Sequence, residues 1–540
     1  MDKEKPKADH RFFDIHPPVF WPALILLIVF ITAILIIGEP SEELFSNVQD
    51  LISTYFGWFL VLVVNILLFA VLYFAFTRTG SIRLGGRNAV PDFSRGSWFA
   101  MLFSAGMGIG ILFWSVAEPL YHFTDPPIPG AGGSAAAQEA MEITFLHWGL
   151  HAWGVYALVG LALAFFSFNR DMPLAFRSVF HPILGDRVYR WPGDVIDVMA
   201  VLATLFGLAT SLGFGVKQVS AGLSHLFGTP DELSTRIILI AVITGAATIS
   251  VVLGLDRGVK RLSEVNIYLA GLLLLFLLVL GPTLFIIDSY VQNVGGYLNT
   301  FFQRSFWTES YQGGDWQNEW TIFYWSWWIS WSPFVGLFIA RISRGRTVRE
   351  YVLSVLIVPA LLTFLWITAF GGSALWLELE GGVSIAAGAM EEVATSIYLL
   401  FEHFPLSIVT NFAAVVLVIS FFITSSDSGS LVVDAFTSGG KLKSPVTQRV
   451  FWASMEGVVA AVLLIGGGLQ ALQTAAIAMG LPFAVILVIM IFSLHKGLAN
   501  EYEHEQLKIR SHEKESYKKL IDQLVGKGSP NEEKESDPDA

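Results

Sequence analysis

Cysteine is absent from this chain of 540 residues. That excludes a disulfide framework, a thiolate metal centre and a cysteine nucleophile. Charge is scarce too: Asp, Glu, Lys and Arg supply 14% of the residues, against 54% hydrophobic ones, and the mean hydropathy is +0.60. A soluble protein of this size needs far more charged surface. Lys and Arg are missing altogether from 39–55, 121–140 and 377–406. The net charge of −12 and the scattering of the basic residues leave no nucleic-acid footprint. His147 and His151 have the i, i+4 spacing of a zinc pair, but there is no HExxH and no third ligand is evident. No nucleophile or metal set for a membrane enzyme emerges. The opening MDKEKPKADHRFFDIHPP is too charged and too long for a signal-peptide n-region, so the first apolar run is expected to stay as an anchor.

Long apolar runs are abundant. They fall near 19–38, 56–77, 97–120, 141–168, 194–226, 236–255, 265–288, 320–340, 351–376, 407–434, 450–467 and 470–494, giving about twelve spans of bilayer length. The fold class is therefore an all-α integral membrane protein. With both termini in the cytoplasm, every Lys and Arg except Lys217, Arg236 and Arg304 falls on the cytoplasmic side. Arg78, Arg83, Arg87 and Arg95 crowd one such loop; Arg341, Arg344, Arg346 and Arg349 crowd another.

Six segments organise the chain. Residues 1–18 are a cytoplasmic N-terminal segment, and 19–96 hold two peripheral, lipid-facing helices and a loop. Spans three to seven (97–288) and eight to twelve (320–495) form two halves of five. The third span carries SAGMGIG and the eighth ends its tryptophan run in Ser332-Pro333. Helices interrupted at matching positions in two halves point to an inverted-repeat transporter. Between the halves, 289–319 is too polar to cross and is expected to lie along the outer surface. The stretch 383–403 reads as a second surface or re-entrant helix. Residues 496–540 are a charged cytoplasmic tail with helical spacing of Leu507, Tyr517, Leu520, Ile521 and Leu524, ending in a disordered acidic run.

The strongest chemical signal is WSWWISWS at 325–332, four of the chain's 17 tryptophans in seven residues. At about 100° per residue, Trp325, Trp328 and Trp331 share a face, whereas Trp327 points away from Trp328. Trp148, Trp153 and Tyr156 share another face. Both sets lie inside their apolar runs, not at the ends where aromatic belts sit. Facing aromatic rings suit a quaternary ammonium, which has no N–H to donate. Gly106, Gly108 and Gly110 permit either close helix packing or an unwound stretch whose N–H groups bind an anion. Thr424 and Ser425, in TSSDSGS, offer hydroxyls to a hard cation such as sodium, although back-bonding within the helix uses the same groups. Asp427 is costly in a span unless paired. Glu118-Pro119 either pairs with another helix or ends the third span.

FWSVAEP, HWGLHAW, WWISWSPFVGLFIARISRGRTVREY and TSSDSGS, with SAGMGIG, resemble the betaine/choline/carnitine transporter family over roughly residues 15–495. The resemblance implies a LeuT-type core of ten helices, a 5+5 inverted repeat, preceded by two extra ones. Under it, Trp148, Trp153, Tyr156 and Trp328 match an aromatic box around a trimethylammonium group, and Trp331 matches a tryptophan of the inward path. Gly106, Gly108 and Gly110 match the flexible segment beside the substrate. Thr424 and Ser425, with the carbonyls of Ser104, Met107 and Phe421, match the ligands of a sodium site. Choline-type members carry an aspartate where this chain has Gly110, and sodium-independent exchangers carry an arginine on the helix that here is 265–288. Both differences favour a sodium-coupled carrier of a zwitterion. Thr204 and Leu208 stand where sodium-coupled members show two threonines, which weakens a second sodium site. The implied protein is no enzyme and has no cofactor beyond sodium as coupling ion. It is implied to be a homotrimer in the cell membrane that imports glycine betaine for osmotic adaptation. The alternatives are ectoine, proline or dimethylsulfoniopropionate, then choline or carnitine. A membrane sensor or enzyme is the reading from another class.

Overall fold

A computed structural model describes residues 12–38, 40–106, 108–127, 132–253, 259–441 and 444–526. Among them the chain is helical throughout, with one isolated bridge between Arg83 and Thr347. Among the described residues nine helices are long and apolar enough to cross a bilayer, or ten if the bent pair Arg95–Ala105 and Ile109–Thr124 is a single span. Buried backbone groups in lipid must be satisfied within the segment, which helices achieve.

Helices α1 (Pro17–Ile37) and α2 (Ser41–Phe76) come first. Only α1 is mostly lipid-facing, with 22% of its apolar window buried against 56% for α2. The expectation of two peripheral helices therefore fails for α2. Its Asn65 is buried, donating to the Ser305 carbonyl at 2.7 Å and lying 3.2 Å from His151 Nε2. Next come α3 (Arg95–Gly106) and α4 (Ile109–Thr124), bent by 65° across the glycine motif. Helices α5 (Ser134–Trp148) and α6 (Leu150–Arg170) meet at Gly149, where a Cβ would sit 2.4 Å from the Phe145 carbonyl oxygen and 2.7 Å from Phe364.

Three helices follow: α7 (Trp191–Phe227), α8 (Leu233–Leu253) and α9 (Val259–Leu280). Helix α10 (Thr283–Ser305) is the expected amphipathic connector, beginning a few residues earlier than the polarity suggested because Gly281-Pro282 ends α9. It rests on α5 through Arg304–Glu139 at 2.6 Å, with Gly296 giving room to the Glu142 carboxylate. The second half holds α11 (Thr321–Ile342), α12 (Val348–Ile367), α13 (Ser407–Thr437) and α14 (Val446–Gly526). The expected helix at 383–403 is helical but broken, with short helices Ala386–Glu391 and Ser396–Glu402 joined by a 3-10 turn at Val393–Thr395. Helix α14 breaks at Gly467 and Gly468. Gly468 has φ 57° and ψ −128°, a region that side chains disfavour. Beyond the last apolar run α14 continues unbroken into the charged tail, and the acidic run at 527–540 lies outside the described residues.

The basic loops gather at one end. Leu84 N–H donates to the Arg346 carbonyl at 2.9 Å, and Gly345 N–H returns to Leu84 at 2.8 Å. Asn169 joins them through Gly85 and Arg83, and Arg170 reaches Glu501 at 3.1 Å. The three basic residues that break the charge pattern are each matched by an acid. Lys217 meets Glu392 at 3.4 Å, Arg236 meets Asp231 at 2.8 Å, and Arg304 meets Glu139.

Candidate functional site

Residues of α4, α5, α6, α11 and α12 line a small cavity. Its wall includes Trp148, Trp153, Tyr156, Trp328, Trp331, Gly108 and Gly110. Five of the six aromatic positions singled out from sequence, all but Trp325, thus converge on one space. Gly106 ends α3 just before it. Trp148 and Trp328 pack edge to face at 4.9 Å between centroids, and Trp153 and Tyr156 do so at 5.6 Å. Edge-on packing of one ring leaves faces of others turned to the space between them, the geometry that attracts a cation.

The wall corrects the helical-wheel reading of the tryptophan run. Trp327 lines the cavity, stacked on Trp328 at 4.7 Å and 17°. Trp325 turns away and packs 5.2 Å from His151. A wheel gives an angle for the Cα, but the indole reaches several ångströms from it, so neighbours along the chain can converge. Gly110 is what admits Trp327, since a Cβ there would lie 2.4 Å from the indole Cη2. At Gly108 the same test gives 3.6 Å to Trp331.

Polar groups in the wall are few. Helix α4 starts at Ile109, directly after extended Gly108, so its first-turn N–H groups are at the cavity. The Tyr156 hydroxyl and the indole N–H groups of Trp327 and Trp331 have no partner among the described residues. A helix N-terminus and free donors suit a carboxylate. Behind the wall lies fully buried Glu118. Its Oε2 accepts from Trp148 Nε1 at 2.7 Å and from the Tyr324 hydroxyl at 2.5 Å. Its Oε1 is 2.6 Å from His147 Nδ1 and 3.3 Å from His122 Nε2. Trp328 Nε1 donates to the His147 carbonyl at 2.8 Å. Glu118 therefore joins helices and does not merely end one.

His147 and His151 do not act as a pair. His147 turns to Glu118 and to Thr321 at 3.0 Å, whereas His151 turns to Asn65. Glu118, His122 and His147 bring ligand-type atoms within 4.8 Å of one another. Most of those atoms are already committed to hydrogen bonds, and only His122 Nδ1 lacks one. The cluster is thus a hydrogen-bond network of Glu118, His122 and His147, and His151 is not part of it.

The proposed sodium residues lie on α13 and α3. Thr424 Oγ1 is 3.2 Å from the Phe421 carbonyl oxygen and accepts from Asn266 Nδ2, also at 3.2 Å. Ser425 is half-buried beside it. Ser104 is on the last turns of α3, and Met107 lies outside the described residues. Asn266 was missed. It also accepts from Ser420, joining α9 to α13. Asp427 accepts from Ser250 at 2.7 Å and faces α8. Thr204 bonds back to Ala200 at 2.7 Å, and Leu208 packs at Gly429.

A model of the BCCT, betaine/carnitine/choline family transporter, matches residues 18–503. The chain belongs to the BCCT family. A glycine betaine/proline/choline transporter of Vibrio parahaemolyticus is 43% identical, covering 90% of this chain and 91% of its own length. A glycine betaine transporter of Acinetobacter baylyi is 42% identical over 91% and 74%. The glycine betaine transporter OpuD of Bacillus subtilis is 43% identical over 89% and 94%. This BCCT chain is accordingly a multi-pass membrane transporter and not an enzyme. Sequence reasoning missed Trp327, Ile111, Ala152 and Thr363 in the cavity wall. Ile111 and Ala152 were open to discovery by helical spacing from Gly108 and Trp148; Thr363, on α12, carried no local signal.

Proposed function

We propose that this BCCT transporter imports glycine betaine, or a closely related zwitterionic compatible solute, by sodium symport for osmotic adaptation. The carrying observation is one cavity that combines aromatic faces with unpartnered donors and the start of a helix in its wall. A trimethylammonium group fits the first and a carboxylate the second. Relatives described as carrying betaine, proline, choline and ectoine keep the related solutes as alternatives. Dimethylsulfoniopropionate is a further one, and carnitine a weaker one.

The finer reading follows the family. Counting the bent α3–α4 pair, α11 and both arms of α14 separately gives twelve spans, in keeping with two helices ahead of a LeuT-type 5+5 core. Convergence of the basic loops and both ordered ends of the chain at one face supports cytoplasmic termini in the cell membrane. Thr424, Ser425 and the carbonyls of Phe421, Ser104 and Met107 are proposed to hold sodium, and alternating access would move the core around the midplane cavity. The test is uptake of labelled betaine into proteoliposomes with and without an imposed sodium gradient, with choline, carnitine, ectoine and proline as competitors. Gradient-independent uptake would remove sodium symport. Complete competition by proline and none by quaternary amines would remove the betaine reading.

A further inference from the structure

Among the described residues Glu118 is the one carboxylate bonded to a ring of the cavity wall, and neither the cage nor the glycine segment accounts for it. It is fully buried, as are His122 and His147. Around its two oxygens stand the Trp148 indole at 2.7 Å, the Tyr324 hydroxyl at 2.5 Å, His147 at 2.6 Å and His122 at 3.3 Å. An indole N–H can only donate, and a phenol beside a carboxylate donates. The Thr321 hydroxyl at His147 Nε2 lets that ring donate through Nδ1. Four donors facing two oxygens suit an ionised carboxylate and leave no oxygen needing a proton of its own. No Lys or Arg is paired with it among the described residues. Its charge is therefore offset by neutral donors, by whatever proton the two imidazoles share, and by any cation that enters the cage.

We propose that Glu118 is a built-in counter-charge for the substrate's ammonium group, acting through the Trp148 indole, and that it makes a permanent positive charge a requirement for binding.

The inference rests on the betaine reading above. Two physical effects point the same way. A hydrogen bond from the indole N–H to a carboxylate pushes electron density into the Trp148 ring, strengthening its attraction for a cation. Direct attraction across one ring's width is added to this, in a buried region where charges are weakly screened. The start of α4, whose Gly108 and Gly110 are in the cavity wall, lies about two and a half turns from Glu118 along the same helix and has the complementary sign. Glu118 thus also sets which way round a zwitterion lies. Tyr324 and the His147 carbonyl, which takes the Trp328 indole N–H at 2.8 Å, tie the second cage ring to the same network.

The test compares two ligands of the same shape. Betaine and 3,3-dimethylbutanoate differ only in that a carbon replaces the quaternary nitrogen, which removes the positive charge. Binding of each is measured by calorimetry on the full-length detergent-purified protein, for wild type, Glu118→Gln and Tyr324→Phe. The expected result is a strong wild-type preference for betaine that falls about tenfold or more in Glu118→Gln. Tyr324→Phe, which keeps the charge, should retain the preference. His122→Lys is the second route, because an ammonium beside Glu118 cancels its charge while leaving its oxygens in place; it should reduce the preference as Glu118→Gln does. If Glu118→Gln and His122→Lys weaken both ligands by the same factor, or leave the ratio unchanged, Glu118 only props the rings and the inference is overturned. A wild-type protein that binds neither betaine nor another quaternary ammonium overturns the betaine reading itself.

Discussion

Trp328 and Trp325 are three residues apart on α11 and buried to a similar degree, yet they face different surroundings. Trp328 lines the cavity and Trp325 packs on His151. Trp328→Leu removes a desolvated cation–π contact worth about 2 kcal/mol, so betaine affinity should fall by a little over tenfold. Trp325→Leu should lower thermal stability while leaving affinity within a few fold. Equal loss of affinity in both, at matched membrane levels, would contradict the assignment. Trp327→Leu is expected to behave like Trp328→Leu, because the two indoles stack. At the second site, Thr424→Ala with Ser425→Ala removes both proposed side-chain oxygens. The sodium concentration for half-maximal uptake should rise about tenfold or more, in line with a lost oxygen shell. Betaine affinity at low sodium should fall with it, because linkage is reciprocal. Sodium dependence indistinguishable from wild type would place the ion elsewhere.

The element that decides the cavity is α4. Its start at Ile109 puts a helix N-terminus at the cavity, and its first turn carries Gly110 under the Trp327 indole. Gly110→Ala has no charge but its Cβ meets that ring at 2.4 Å, so betaine affinity should drop through displacement of Trp327 alone. Gly110→Asp adds the same displacement and a carboxylate, which repels betaine's own and favours a net cation. Choline uptake should therefore appear in Gly110→Asp and not in Gly110→Ala. Gain of choline uptake in both would mean that cavity shape, not charge, selects the solute.

At the scale of the whole molecule, α10 presents an unusual face. Leu284, Ile287, Val291, Leu298 and Phe302 recur at helical spacing and are 53–78% exposed, while Arg304 and Thr300 fasten the other face to α5. Lipid covers such a stripe in a monomer, and a neighbouring copy covers it in the proposed homotrimer. Val291→Lys with Leu298→Lys should abolish trimers seen by cross-linking in native membranes, with each protomer's pathway still intact. Trimers that persist in the double variant would move the contact to another surface, and a wild-type monomer would remove the trimer.

Composition and periodicity by themselves determined the class of this protein. Long apolar runs in a chain with so few charges can only be membrane helices, because hydrophobicity along a run is a property of local chain in a bilayer. The aromatic residues of the cavity were likewise legible one by one, since tryptophans inside an apolar run are conspicuous. Which of them meet was decided by tertiary structure alone. Trp327 enters because Gly110, more than two hundred residues earlier, leaves it room. Trp325 departs because His151 offers it a flat partner. Thr363 joined the cavity and Asn266 met Thr424 without any local pattern, and Glu118 found its four partners on two other helices besides its own. Packing distances of a few ångströms between remote helices set these outcomes, and no spacing along a single helix encodes them.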